Sequence, residues 1–263
     1  MDSINRATWS NPATVRWFES FEGYTDPGER AALESVAAAA RDGAILDLGV
    51  GAGRTVPLLR SISQRYTAID YTPALVAACR ELHPGVDVSL GDARDLSRFP
   101  AESFRLVVFS YNGIDAVDVT DRALILAEVA RVLEKGGMFV FSSHNQDGPG
   151  HGEKLSLDVN MSKNPLKLAL RFARSVSHLG DKLQNRAHNS RLNEVHDGYS
   201  IMNPAAHDHG LLVYYTALWK QLEDLQRAGF QPDPLVFGNL NGLPLQPGAD
   251  TRDLWWFHFV ARR

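Results

Sequence analysis

Ile45-Leu46-Asp47-Leu48-Gly49-Val50-Gly51-Ala52-Gly53-Arg54-Thr55 joins a short apolar run to an amphipathic one through three glycines in five positions. Glycine lets the backbone turn sharply and lets a ligand approach the main chain closely. Ala44 to Leu48 reads as a strand and Thr55 to Ser63 as a helix. The turn therefore lies at the carboxyl edge of a strand, where doubly wound sheets bind ligands. Its spacing is informative. A dinucleotide fingerprint, G-x-G-x-x-G, would place its third glycine at position 54, which is Arg54; here it is Gly53. Asp47 stands two residues before the first glycine. A carboxylate there repels a pyrophosphate and suits a ligand with an ammonium group.

The alternation continues toward the C-terminus. Tyr66 to Ile69, Val86 to Leu90, Arg105 to Ser110 and Met138 to Ser142 are apolar runs of strand length. Pro73 to Leu82 and Thr120 to Glu134 are helical patterns, the second ended by Gly136-Gly137. Unbroken apolar strands between helices predict a parallel sheet covered on both faces, and right-handed crossovers make it doubly wound. A helix over Thr216 to Ala228 follows, then strands over Pro234 to Gly238 and Leu254 to Ala261 with no helix between them, which predicts an antiparallel pair at the sheet edge. Upstream, Asp26-Pro27-Gly28-Glu29 reads as a capping box that opens a helix, with Leu33, Val36, Ala37 and Ala40 on one face. Trp9 to Tyr24 is aromatic and reads as irregular.

Residues 144–215 interrupt the alternation. Asn164-Pro165 opens a predicted long helix with an apolar stripe (Leu168, Phe172, Val176, Leu179, Leu183) beside a basic one (Lys167, Arg171, Arg174, His178, Lys182). Glu194 to Met202 and Leu211 to Tyr215 read as a hairpin around Asn203-Pro204. The expected organisation is a single domain with an N-terminal lid over 1–25 and an inserted cap over 144–215.

The 263 residues, 44% hydrophobic and 22% charged, suit one large globular domain. A net charge of −4 gives no global pull toward nucleic acid, and no run approaches a membrane span. One cysteine, Cys79, excludes an intrachain disulfide and fits a cytoplasmic location. His196, His207, Asp208 and His209 lack the framework of a zinc site, so no metal is expected.

Two more acids follow successive strands. Asp70 ends the second, 17 residues after Gly53, near the offset at which an acid meets ribose hydroxyls. Asp92, in Gly91-Asp92-Ala93, follows the third, where it could accept from an amino group while the Ala93 amide donates. Taken together, Asp47 to Gly53, Asp70, Gly91-Asp92-Ala93 and the terminal strand pair resemble the class I S-adenosylmethionine-dependent methyltransferases over roughly 25–145 and 210–263. The resemblance implies an α/β, doubly wound, seven-stranded, mostly parallel sheet with an antiparallel last strand. It implies S-adenosylmethionine as cofactor, its methionine part on Asp47, Gly49, Gly51, Gly53 and Arg54. Asp70 would take the ribose, Tyr71 would pack on the adenosine, and Asp92 with Ala93 would take the adenine. Ser110-Tyr111-Asn112-Gly113 falls where the family lines cofactor and acceptor, with Ser110 on the cofactor side. It lacks the Asn/Asp-Pro-Pro-Tyr motif, which argues against methylation of nucleic acid bases.

The expected reaction is methyl transfer to oxygen or nitrogen of a small-molecule acceptor. The expected partner is that acceptor, with no nucleic acid and no membrane span; a homodimer is compatible with the sequence. A hydroxyl acceptor would want a general base. His144, after the fifth strand, is the first choice and Tyr111 the second; His207, His209, Tyr214 and Tyr215 are further candidates. Tyr24, Asn112, His207 and Tyr214 are the candidate acceptor contacts. The alternatives are a nicotinamide oxidoreductase, a protein or RNA methyltransferase, and a non-catalytic binding protein.

Overall fold

The structure is a computed structural model that describes residues 1–20, 23–152 and 179–263. Its centre is β1 (Ile45–Leu48), buried along its whole length between β2 (Tyr66–Asp70) and β4 (Phe104–Phe109), parallel to both. Such a strand is hydrophobic on both faces because helices cover both. β3 (Asp87–Leu90) adds outside β2, and β5 (Leu133–Asn145) outside β4. β10 (Trp256–Arg262) then runs antiparallel to β5, with β9 (Leu235–Gly238) antiparallel beyond it. This is the expected seven-stranded order, with β10 alone reversed. One face carries α3 (Pro27–Ala40), α4 (Val56–Ile62) and α5 (Pro73–Leu82) over Ile45, Leu106, Val108 and Val140. The other carries α6 (Val119–Val132) and the helix Leu218–Arg227 over Leu46, Leu48, Val107, Phe139 and Phe141.

The sheet grows further, to ten strands among the described residues. β4 stops at Phe109, opposite Phe141, while β5 runs on to Asn145. β8 (Val213–Thr216) occupies that exposed edge in parallel, pairing His144 with Tyr215 and Asn145 with Thr216. β7 (Tyr199–Met202) and β6 (Glu194–His196) follow antiparallel. Glu194 to Met202 is thus two strands around Asp197-Gly198, where Gly198 has φ +81°, rather than one; the second of them, β7, forms the expected hairpin with β8 across Asn203-Pro204. The long-helix pattern from Asn164-Pro165 falls mostly outside the described residues; its last part lies in the helix Leu179–Asn189.

Other local expectations need correction. Trp9 to Tyr24, expected to be irregular, is helical over α2 (Pro12–Glu19), and α1 (Asp2–Trp9) precedes it. Asn11 caps α2 by accepting from the Ala13 amide, and Pro12 takes the first helical position, where its missing N–H costs nothing. At α3, Asp26 does accept from the Glu29 amide at 2.9 Å, but the Glu29 side chain turns away to Arg54, so only half of the capping box forms. α6 ends at Val132, and Gly136-Gly137 lies within β5 instead of closing the helix.

Candidate active site

The glycine loop leaves β1 with Gly49, Gly51 and Gly53 at φ +60°, +59° and +99°. A Cβ on Gly49 would stand 2.6 Å from the Phe109 ring in the core, whereas one on Gly51 would meet only Phe18 of α2, at 3.8 Å. The Gly51 amide donates to Asp70 Oδ2 at 2.9 Å, and the Thr72 amide donates to Asp70 Oδ1 at 2.8 Å. Burial pushes the Asp70 carboxyl up, against the pull of these two amides. Its carboxylate is thereby fixed beside the loop with lone pairs remaining for further donors.

Asp47 is fully buried behind the loop. Its Oδ2 accepts from Thr55 Oγ1 at 2.6 Å and Tyr66 Oη at 2.7 Å, while Oδ1 has no partner among the described residues. Burial raises its carboxyl to about 6, opposed by those two hydroxyls and by Arg54. An orphaned buried acceptor is rare in folded proteins and is what an added ammonium donor would satisfy. The residues present therefore suit an amino-acid-bearing ligand at this loop.

Two residues expected on the cofactor are engaged elsewhere. Arg54 is buried and holds Glu29 bidentately, at 2.8 and 2.7 Å. It also donates to the Tyr24 carbonyl and to Ser110 Oγ, and Ser110 Oγ donates to Glu29. The Arg54 and Ser110 side chains thus tie the glycine loop to α3 and the end of β4, without pointing a charge at a ligand. Over Tyr71 and Asp92, α1 forms a roof. Arg6 lies 4.2 Å above the Tyr71 ring, donates to the Tyr71 carbonyl at 3.1 Å, and reaches Asp92 Oδ2 at 3.0 Å. Asp92 is also held by Arg94 at 2.7 and 3.0 Å; burial pushes its carboxyl up, and the Arg94 bonds more than reverse this. Ala93, next to it, packs in part against the core. α1 is anchored on its other flank by Asn5, which has no solvent exposure. Asn5 Nδ2 donates to the carbonyls of Ala116 and Leu212, and Asn5 Oδ1 accepts from the Leu212 amide. Thr8 Oγ1 donates to the Gly210 carbonyl at 2.5 Å.

Beyond β4, Tyr111 and Asn112 are both left-handed, at φ +53° and +58°, a strained pair of the kind that gathers at functional sites. The Asn112 amide donates to Ser142 Oγ at 2.7 Å, and its side-chain nitrogen lies 3.3 Å from His144 Nε2. His144 Nδ1 lies 2.8 Å from Asp115 Oδ2, and the His144 amide donates to that same oxygen at 2.7 Å. Asp115, buried in the 3₁₀ turn Gly113–Ala116, takes Arg122 Nη1 at 2.5 Å and Ser143 Oγ at 2.7 Å on Oδ1. Arg122 is itself buried and also donates to the Ile114 carbonyl, Ser143 Oγ and Gln221 Oε1. Tyr215 and Trp256 pack on the His144 ring, centroids 5.1 and 6.3 Å away.

The tip of the insertion closes over this wall. His207, Asp208 and His209 are three consecutive left-handed residues, at φ +49°, +56° and +58°. They swing the His207 ring among Trp9, Trp17 and Phe18, at 5.2, 5.3 and 6.2 Å, and burial lowers its basicity. Trp17 in turn lies 6.4 Å from Tyr111, and the Arg54 guanidinium lies over the Tyr111 ring, 5.1 Å from its centroid. Tyr24, half exposed, contributes its carbonyl to Arg54. Tyr214 is the correction here. It has no solvent exposure, stacks on Tyr199 at 5.2 Å and lies under Arg122, because alternation along β8 turns it to the opposite face from Tyr215. It has no surface with which to meet an acceptor. His209 is buried beneath the tip, and no group of metal-ligating side chains occurs among the described residues.

Sequence reasoning missed Glu29, Asp115, Arg122, Asn5 and Arg6. One signal was available: Arg122 shares a helix face with Ile125, Leu126 and Val129, and a charge on an apolar stripe implies a buried partner.

Residues 45–137 match the family model described as "Methyltransferase domain". A phosphatidylethanolamine N-methyltransferase of Cereibacter sphaeroides is 36% identical over 111 residues, 40% of this chain and 52% of that protein. A Mycolicibacterium smegmatis protein described as a probable S-adenosylmethionine-dependent methyltransferase is 33% identical over 102 residues, 39% of this chain and 38% of that protein. The chain thus spans about half, or less, of the length of these curated relatives. Among solved structures, an S-adenosylmethionine-dependent methyltransferase from Mesorhizobium loti aligns with a TM-score of 0.59 at 18% identity, over 90% of this chain and 98% of that one. The Burkholderia thailandensis 1,6-didemethyltoxoflavin-N1-methyltransferase, bound to its acceptor and S-adenosylhomocysteine, aligns with a TM-score of 0.58 at 15% identity, over 99% and 88%. At such identities the structures speak for the fold.

Proposed function

We propose, from the premise that this chain carries a class I S-adenosylmethionine-dependent methyltransferase domain, that it transfers the cofactor's methyl group to oxygen or nitrogen of a small-molecule acceptor. The observation that carries the cofactor half is the loop itself, where Gly51 turns its open side away from the core and its amide fixes the Asp70 carboxylate. Asp47 Oδ1 would take the ammonium of the methionine part, Asp70 the ribose hydroxyls, and Tyr71 and Asp92 the adenosine side under Arg6. The bound group supplies an activated methyl on a sulfonium; the chain's own residues align, enclose and manage protons.

The acceptor half rests on enclosure. Tyr111, Asn112 and His144 form a wall, and α1, α2 and the His207 tip lie against it. In this reading residues 1–25 act as a lid and the insertion as a cap, an enclosure that favours a compact acceptor over a duplex or a folded protein. No helix among the described residues is long and apolar enough to cross a membrane, and the cytoplasm is the expected location. The test is calorimetric titration with S-adenosylhomocysteine, with NAD in parallel. Binding of the first alone supports the reading. Binding of NAD alone, or of neither by a folded protein, refutes it.

A further inference from the structure

The Asp115–His144 pair carries more than the cofactor reading needs. A carboxylate only accepts hydrogen bonds. Asp115 Oδ2 accepts from the His144 amide at 2.7 Å and lies 2.8 Å from Nδ1. The neutral ring must therefore carry its proton on Nδ1, and its lone pair stands on Nε2. The two bonds to one oxygen also fix the ring's rotation. Asp115 cannot swing away, because its other oxygen is gripped by Arg122 and Ser143, and Arg122 is pinned by Gln221 and the Ile114 carbonyl. Nε2 faces Asn112 Nδ2, a weak 3.3 Å contact that an acceptor hydroxyl can displace.

The surrounding charges favour a neutral acceptor. The buried carboxylates around this wall are already matched: Asp115 by Arg122, Glu29 by Arg54, and Asp26 by His258 and Trp256. Asp47, the buried acid with an orphaned oxygen, sits behind the glycine loop on the cofactor side. Among the described residues no acid is left at the wall to hold a cationic amine, whereas a base with an aimed lone pair is present. Tyr111 and Trp17, each more than a third exposed, and the partly exposed Trp256 add flat aromatic surface around it.

We propose that, given the methyltransferase reading, the acceptor is a neutral aromatic hydroxyl, that His144 Nε2 is its general base, and that Asp115 is the positioning residue that holds His144 in the competent tautomer. The acceptor oxygen forms its bond to the methyl carbon as the methyl–sulfur bond breaks, with the electron pair left on sulfur. The hydroxyl proton passes to Nε2 and from there to solvent. Asp115 stabilises the imidazolium so formed without taking the proton.

The experiment uses the full chain, S-adenosylmethionine labelled in the methyl group, and matched phenols and anilines of the same ring systems, with phosphatidylethanolamine vesicles as a further amine. S-adenosylhomocysteine binding is measured on the same preparations, so failure of the cofactor reading is seen separately. The expected result is transfer to phenols in preference to their amine counterparts. His144→Gln should lower kcat/KM on a phenol that is neutral at the assay pH by about 10²- to 10⁴-fold, the usual contribution of a general base. It should cost far less on a nitrophenol already ionised at that pH, a contrast that a merely structural role would not produce. Asp115→Asn should lower activity comparably while ¹⁵N NMR shows the His144 proton leaving Nδ1. Transfer to amines only, transfer to no phenol by a protein that binds S-adenosylhomocysteine, or equal loss by His144→Gln on ionised and neutral phenols would each overturn the proposal. If Asp115→Asn does not fold, the His144→Gln contrast and the wild-type NMR tautomer decide alone.

Discussion

Gly49 and Gly51 offer a matched pair of substitutions, since both have almost the same φ, +60° and +59°. An alanine at either position meets the same left-handed strain, about 1–2 kcal/mol. They differ in what the new methyl touches. At Gly49 it would stand 2.6 Å from the buried Phe109 ring; at Gly51 its nearest neighbour is Phe18, at an ordinary 3.8 Å. Overpacking a core adds about 1–3 kcal/mol, so Gly49→Ala should lose about 2–5 kcal/mol and Gly51→Ala about 1–2. For chains of this size that is a fall in Tm of roughly 2–8 °C for Gly51→Ala and more for Gly49→Ala. Affinity should run the other way. The methyl of Gly51→Ala stands over the main chain that the methionine part would approach, and a loss of at least about tenfold in S-adenosylhomocysteine affinity, about 1.4 kcal/mol, is expected. Thermal denaturation and calorimetric titration on both variants read the two quantities separately. A Gly51→Ala protein that binds S-adenosylhomocysteine like wild type would refute the placement of the ligand on this loop, whatever its Tm.

Asp70→Ala should weaken S-adenosylhomocysteine by tenfold or more in the same titration, and unchanged affinity would remove its ribose assignment. Cofactor affinity should fall as pH drops through about 6, where buried Asp47 takes up a proton and can no longer serve an ammonium; Asp47→Asn should abolish that dependence. The same raised carboxyl makes the ligand-free protein lose stability as pH rises from the unfolded value of 3.8 toward about 6, because the folded state binds the extra proton there. Arg122→Leu leaves Asp115 buried without its cation and should cost about 3–5 kcal/mol in urea denaturation; a loss under about 1 kcal/mol would show the pair to be dispensable. Arg6→Ala removes the roof over Tyr71 and Asp92 and should speed S-adenosylhomocysteine release in stopped-flow measurements; an unchanged rate would mean that α1 does not bar the way.

What could be read from the sequence was local. The βα alternation, the glycine loop and the two acids after successive strands are each written in adjacent residues, and the first seven-strand order follows from them. What could not be read depends on long-range geometry. Arg54 looks like a ligand contact until Glu29, 25 positions upstream, takes it. Alternation says that Tyr214 and Tyr215 face opposite ways but not which faces the site. The joining of β8 to β5 depends on β4 stopping short of β5's end, a difference in strand length that no periodicity encodes. The helicity of α2, by contrast, was signalled by Asn11-Pro12 and was overlooked beneath its aromatic composition.

α1 bears on the order of kinetic events. It is eight residues long, about 12 Å by the helical rise, and both flanks are held. Arg6 grips Tyr71 and Asp92 on one side, and Asn5 and Thr8 grip Leu212 and Gly210 on the other. A single short rod without glycine or an internal proline has no hinge of its own. In the proposed reading it would have to leave both flanks together, so that departure of the spent cofactor and of the methylated product would become one escape governed by a common rate constant.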